Sequence, residues 1–270
     1  MWTTIQWRTF CSCKPWLKRS AHVFVLRKND RELEEGVNEE GHMQVFCDFD
    51  GTISVQDATD FILSRFADRE WQDIEEQWKK GAVGSAECMQ RQVALIRATR
   101  RQLDAALDEI EIDPSFAAFA GYCCSQGIPL TILSDGVDYF IHRILARHRL
   151  PPLPVIANQL TICGQNGNTR YHLALPFSQA ACESSAGMCK CRCVREAAGT
   201  RLYVGDGRSD FCVADKPDLL FAKGNLAQYC ERQGIAFIRY RRFADVTRAL
   251  KTRVPTPLRY PIETPARALA

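Results

Sequence analysis

The sequence predicts an α/β protein: three layers, helices on both faces of a parallel sheet, and a bundle of helices inserted after the first strand. Three observations predict it. Short apolar runs of strand length (Val45-Phe46-Cys47, Pro129 to Leu133, Leu202-Tyr203-Val204, Leu219 to Ala222, Ile235 to Ile238) alternate with helical segments, the pattern of strands buried on both faces and joined by helical crossovers. Between the first two runs, from Asp57 to about Ile112, apolar residues recur at helical spacing in four successive segments. Three of the runs leave into Asp-, Ser- and Gly-containing sequences, at the edge where open parallel sheets bind ligands.

Each element has its own local reason. Asp57 can cap a helix carrying Phe61, Ile62, Leu63 and Phe66, and Asp68 a second with Trp71, Ile74 and Trp78 on one side. Gly81 and Gly84 interrupt, and Ser85 begins a third with Ala86, Met89, Val93 and Ile96 at helical spacing. Thr99 and Gln102 have capping-box spacing before Leu103, Leu107 and Ile110. Pro114 closes the insertion. Phe116 to Cys124 reads as helix ended by Gly127, and Tyr139 to Ala146 as the helix after the second strand. Val155-Ile156 and Leu160 to Ile162, followed by Asn166-Gly167 and Tyr171 to Leu175, predict a β-hairpin within about 153–177. Asp245 to Arg253 is a closing helix.

The ends look different from the middle. Up to Lys28 the chain has basic residues (Arg8, Lys14, Lys18, Arg19, Arg27, Lys28) and no acid, and Asp30 to Glu40 is acidic. The expected organisation is a poorly ordered extension over 1–42, a core over 43–57 and 112–253, a helical cap over 58–111, and a loose tail over 254–270. Met43 stands just before the first strand, where an alternative translation start would spare the whole core.

Composition narrows the function classes. A formal charge of +3, with 25% charged and 46% hydrophobic residues, gives no basic face for nucleic acid, and no apolar run approaches a membrane span. Thirteen cysteines, odd in number and often adjacent or alternating, with no secretory signal before them, suit reduced thiols in the cytoplasm. Cys182, Cys189, Cys191 and Cys193 raise the question of a metal, but their spacing departs from the usual zinc pattern, and a loop of reduced thiols is the simpler expectation. The sequence is silent on oligomeric state; a homodimer is compatible with it.

The first strand ends in Asp48-Phe49-Asp50-Gly51-Thr52. Alternating side chains put both carboxylates on one side, and Gly51 permits a tight turn directly after them. Two carboxylates crowded at the end of a buried strand repel one another unless a cation intervenes, and an all-oxygen donor set suits Mg²⁺. The second strand leaves into Ser134-Asp135-Gly136, and the next into Gly205-Asp206-Gly207 with Asp210 close behind; Lys190 lies between. Together these supply a carboxylate nucleophile, an acid/base partner, a hydroxyl, an ammonium and further metal-binding carboxylates. Bland alternatives exist: Asp57 as a simple N-cap, Asp210 as a first-turn acid, Glu87 and Arg91 as an exposed pair, and Lys223 in place of Lys190.

In these motifs the chain from Met43 to about Arg253 resembles the haloacid dehalogenase (HAD) superfamily of phosphohydrolases. The resemblance is to the phosphoserine phosphatase branch, and most closely to the methionine-salvage group acting on a methylthio-diketopentenyl phosphate, on the strength of Asp57-Ala58-Thr59-Asp60 and the cysteine-rich run before Lys190. It implies a Rossmannoid α/β/α core with a C1-type helical cap and a Mg²⁺-dependent phosphatase acting on a small phosphorylated metabolite. Asp48 would be the nucleophile and Asp50 the acid/base. Ser134, Asp135, Gly136 and Lys190 would hold the phosphate. Mg²⁺ would be held by Asp48, the main-chain carbonyl of Asp50, and Asp206, with Asp210 supporting. Asp57 stands where phosphoserine phosphatases carry a glutamate for the substrate amine, which turns expectation away from phosphoserine. Three rivals remain: a phosphotransferase using the same intermediate, a phosphoserine phosphatase proper, and a cysteine-rich metal- or redox-binding protein.

Overall fold

The computed structural model describes residues 43–164, 169–179, 182 and 185–253. The expected extension over 1–42, the Asn166-Gly167 turn and the tail over 254–270 lie outside the described residues.

Among the described residues seven strands form one sheet: β1 (Met43–Cys47), β2 (Leu130–Val137), β3 (Val155–Cys163), β4 (Arg170–Ala174), β5 (Thr200–Gly205), β6 (Leu219–Ala222) and β7 (Ile238–Arg239), in the order β4-β3-β2-β1-β5-β6-β7. Every neighbouring pair is parallel except β3 and β4, which are antiparallel. β1 is central: Val45 pairs with Leu130 on one side and Leu202 on the other. The chain builds outward through β2 and β3, then returns across β1 to build β5 to β7. That reversal leaves a crevice at the carboxyl ends of β1, β2 and β5.

Helices cover the sheet. Four of them, α1 (Ala58–Phe66), α2 (Glu70–Lys79), α3 (Ser85–Val93) and α4 (Arg100–Leu107), lie between β1 and the next core helix, α5 (Phe116–Ser125). The remaining helices are α6 (Asp138–Arg147), α7 (Lys190–Glu196), α8 (Gly224–Gln233) and α9 (Phe243–Arg253), with a 3-10 helix at Arg208–Val213. The α1 cap is Asp57, whose side chain accepts from Asp60 N, and α4 has the full Thr99–Gln102 capping box. Two connectors form a neck for the insertion: Ser54 and Ile112 make an antiparallel bridge, flanked by Val55 N to Glu111 O at 2.9 Å and Asp113 N to Ile53 O at 2.8 Å. On the far side α9 is fixed to α5 by Phe243, whose ring lies 4.9 Å from Phe116 and 5.0 Å from Phe119.

Several local expectations need correction. Asp68 does not cap α2; Arg69 occupies that position, and the Asp68 carboxylate pairs instead with Arg97 at 2.9 Å. The last strand is shorter than Ile235 to Ile238, because Gly234 ends α8 in a left-handed conformation and Ile235 N still bonds back to Cys230 O. β3 runs unbroken through Asn158 and Gln159, where the sequence shows two separate apolar pieces, because antiparallel pairing with β4 extends it. β2 likewise continues through Ser134-Asp135-Gly136 rather than ending before it. α8 lies in a stretch whose helical character the sequence reading passes over.

Candidate active site

Residues from separate elements meet at the crevice. Asp48 follows β1 and is 3% exposed; its main-chain N–H bonds to Val204 O on β5, which fixes where the carboxylate starts. Lys190, at the first turn of α7 and 1% exposed, reaches Asp48 Oδ1 at 2.8 Å, Asp210 Oδ1 at 2.6 Å and Ser209 Oγ at 3.0 Å. Lys223, the rival lysine, instead donates to the Thr52 carbonyl at 3.3 Å and lies over the Tyr240 ring. Glu87 and Arg91 form an exposed pair at 3.2 Å.

The carboxylates of Asp48, Asp206 and Asp210 each offer an oxygen within 4.8 Å of the others. Asp210 is wholly buried, and its oxygens receive four donors: Tyr203 OH and Lys190 Nζ at Oδ1, and the amides of Asp206 and Gly207 at Oδ2. Asp206 Oδ1 accepts from Thr52 Oγ1 at 2.6 Å. Gly51 has φ +71° here, and a Cβ on it would lie 2.5 Å from Asp206 Oδ2, so both backbone conformation and space demand glycine.

Electrostatics follows from crowding. Burial pushes the Asp48 carboxyl well up, with the Asp210 charge adding to it and Lys190 opposing. Asp206 is pushed up to about 6, mainly by burial. The Lys190 ammonium is held charged well above its ordinary range, burial being outweighed by Asp210 and Asp48. Three carboxylates against one ammonium leave negative charge unbalanced in a buried place. An oxygen-only donor set with that imbalance fits a hard divalent cation such as Mg²⁺.

Asp50 faces the same space from the other side. Its Oδ1 accepts from Ala58 N at 2.8 Å, at the start of α1. Burial, with Asp57 nearby, raises its carboxyl well above the usual range. A Cβ on Gly136 would overlap Asp50 Oδ2 and lie 2.9 Å from Ser134 Oγ, so Asp50 and β2 are in close register only because residue 136 has no side chain. Ser134 Oγ accepts from Gly136 N at 2.9 Å. Asp135 is buried and anchored by Ser85 Oγ at 2.6 Å, Met188 N at 3.0 Å and Asn158 Nδ2 at 3.3 Å.

Above these groups opens a cleft of about 270 Å³, walled on the insertion side by Asp57, Thr59, Asp60, Glu75, Trp78, Cys88 and Met89. Thr59 Oγ1 is buried in this wall without a hydrogen-bond partner among the described residues. The Arg208 guanidinium, from the core, lies 5.1 Å over the Trp78 ring and joins the two sides of the cleft mouth. Asp57 is both the α1 cap and a wall residue.

Thr52, Tyr203, Ser209, Asn158 and Thr59 escape sequence reasoning. Thr52 and Ser209 lie inside the motifs and signal themselves by position. Tyr203 and Asn158 read as ordinary strand residues, and only the sheet register brings them to the site.

A family profile for haloacid dehalogenase-like hydrolases matches residues 45–215. The 2-hydroxy-3-keto-5-methylthiopentenyl-1-phosphate phosphatase of Brevibacillus brevis is 32% identical over 213 residues, covering 77% of this chain and 94% of that protein. Among solved structures, a HAD family hydrolase of Salmonella enterica subsp. enterica serovar Typhi superposes with a TM-score of 0.61 at 19% identity, covering 78% of this chain and 72% of that one. A phosphoserine phosphatase holding an analogue of a phospho-aspartyl intermediate gives 0.56 at 16% identity, covering 77% and 98% respectively. At those identities the structures share the fold. No described helix is long and apolar enough to cross a membrane.

Proposed function

Because this chain belongs to the haloacid dehalogenase-like hydrolases and is a phosphoric monoester hydrolase, we propose that it is a Mg²⁺-dependent phosphatase that works through a phosphorylated Asp48 on a small cytoplasmic metabolite phosphate. The observation that carries this reading is the grouping of Asp48, Lys190, Asp206 and Asp210 at the strand ends beneath a cleft of small-metabolite size. In this reading residues 43–57 and 112–253 perform the chemistry, and the helices within 58–111 choose the substrate.

Asp48 Oδ1 is engaged by Lys190, which leaves Oδ2 to attack phosphorus. As the new O–P bond forms, the ester O–P bond breaks, and the leaving oxygen takes the proton from Asp50. Burial raises the Asp50 pKa and so favours the protonated form this step needs. Asp50, now a carboxylate, then takes a proton from water, whose oxygen displaces Asp48 and releases inorganic phosphate. Ser134 Oγ, the main-chain N–H groups near Asp135 and Gly136, and the Lys190 ammonium would bind the equatorial oxygens. Mg²⁺ would sit on Asp48, the Asp50 carbonyl and Asp206, and would neutralise charge developing on the phosphoryl group. Asp210, with both oxygens already engaged, would orient Lys190 and the Asp206 loop rather than bind the ion directly.

For the substrate, the likeness to the Brevibacillus enzyme favours the methylthio-diketopentenyl phosphate, and Trp78, Cys88 and Met89 offer that thioether a soft apolar wall. A second reading comes from Asp57, Asp60 and Glu75 in the same wall, which favour a phosphate ester bearing an ammonium, such as phosphoethanolamine. Phosphate release from a panel holding both compounds and phosphoserine, compared as kcat/KM, separates the two. Addition of alcohols, with product analysis, tests for phosphotransfer. Asp48→Asn should abolish turnover of p-nitrophenyl phosphate while circular dichroism stays unchanged, and EDTA should do the same reversibly. Turnover surviving in Asp48→Asn would remove Asp48 as nucleophile.

A further inference from the structure

A second group of metal-ligating side chains lies apart from the carboxylates. The ligand sulfurs of Cys182, Cys191 and Cys212 are all within 4.8 Å of one another. Cys189 adds a fourth, its Sγ 3.3 Å from that of Cys191. The four come from three places: the segment before α7, the first turn of α7, and the 3-10 helix. Cys182, Cys191 and Cys212 are far apart in sequence, and nothing in local chain geometry forces their three sulfurs together. Cys193, which the sequence raised as a question beside Cys182, Cys189 and Cys191, is not in the close group, and Cys212 is.

We propose that this chain binds a zinc-type cation through Cys182, Cys191 and Cys212, with Cys189 as fourth ligand. Around a tetrahedral zinc with Zn–S near 2.3 Å, neighbouring sulfurs stand a little under about 4 Å apart, a spacing the Cys182, Cys191 and Cys212 sulfurs already approach, and Cys189, beside Cys191, would turn in to complete the set. Sulfur-only ligation selects zinc over the hard Mg²⁺ suited to the carboxylates. Cys182, Cys189 and Cys191 are buried, and four protein sulfurs leave no open position for substrate or water; the site is structural. Its place gives it a purpose. Cys191 adjoins Lys190, and Cys212 follows Asp210 by two residues, so one ion would tie α7 to the 3-10 helix just behind the Lys190–Asp210 contact at 2.6 Å. The geometry stands on its own whether or not the phosphatase reading holds.

The test uses the full chain, purified with reductant and zinc, then desalted. Elemental analysis should find about one zinc per chain. Replacement by Co²⁺ should produce sulfur-to-cobalt charge-transfer bands and tetrahedral d–d bands, which carboxylate ligation does not give. Cys193→Ser and Asp206→Asn should keep the metal, and Cys191→Ser and Cys212→Ser should lose it. Should the last two fail to fold, the wild-type cobalt spectrum decides, together with the rise in titratable thiols when a chelator strips the zinc. Wild-type protein that retains no zinc, or a metal that survives Cys212→Ser but leaves with Asp206→Asn, overturns the proposal.

Discussion

Lys190→Met is the most searching single substitution, because Met keeps nearly the same volume and removes only the ammonium. In the native protein that group is 1% exposed and lies 2.8 Å from Asp48 and 2.6 Å from Asp210. Solvent cannot replace it at that depth, so the loss should approach the roughly 3–5 kcal/mol typical of breaking one side of a buried ion pair. That is a large share of the roughly 5–15 kcal/mol that holds most domains folded. With a urea m-value of about 2–3 kcal/mol/M, the midpoint should fall by roughly 1–2.5 M. Adding Asp210→Asn removes one of the stranded charges, and the double variant should recover about 1–3 kcal/mol relative to the sum of the single changes. Urea unfolding of all three variants in EDTA, followed by tryptophan fluorescence, measures both quantities. An unchanged midpoint in Lys190→Met, or strict additivity in the double variant, would refute the claim that one ammonium holds the carboxylates together.

Gly136→Ala should lower kcat about 100-fold, the scale expected when a reacting group is displaced by about 1 Å, because the new methyl overlaps Asp50 Oδ2. Steady-state kinetics alongside thermal melting should find stability reduced far less than rate. Metal-free stability should also depend on pH with a definite sign. Asp206 titrates at 3.8 when unfolded and about 6 when folded, so the folded state keeps a proton that the unfolded state releases. Its contribution therefore falls as pH rises from about 4 to about 6, by about 2–3 kcal/mol in all. Melting curves in EDTA across that range should show the decline. Mg²⁺ should flatten it by holding Asp206 ionised.

Much of the fold was legible because it depends on local chemistry. Alternation of apolar runs and amphipathic segments foretells the sheet and its covering helices, and Thr99 with Gln102 announces α4 outright. The candidate site was legible for a related reason: Asp48, Asp50 and Asp206 come just after buried strands, and Ser134 lies in the second half of another, all at one edge of the sheet. What escaped depends on distant pairing. Whether β2 continues through Gly136, or β3 through Asn158, is decided by hydrogen bonds to neighbouring strands, which the sequence does not display. Asp68 looked like a cap because its position was right, but Arg97, far along the chain, competes for its carboxylate. Cys212 was invisible as a companion of Cys191 for the same reason. It sits in a short 3-10 helix whose course is set by Asp210 accepting the amides of Asp206 and Gly207.

The bridge between Ser54 and Ile112 brings the entry and exit of residues 58–111 side by side, within about the 4.5–5.5 Å that separates paired strands. A module attached through two adjacent chain segments can be lengthened, traded or rebuilt without rerouting the chain beneath it. If residues 58–111 choose the substrate, as proposed above, the acceptance of this hydrolase can be revised there without touching the carboxylates at the strand ends.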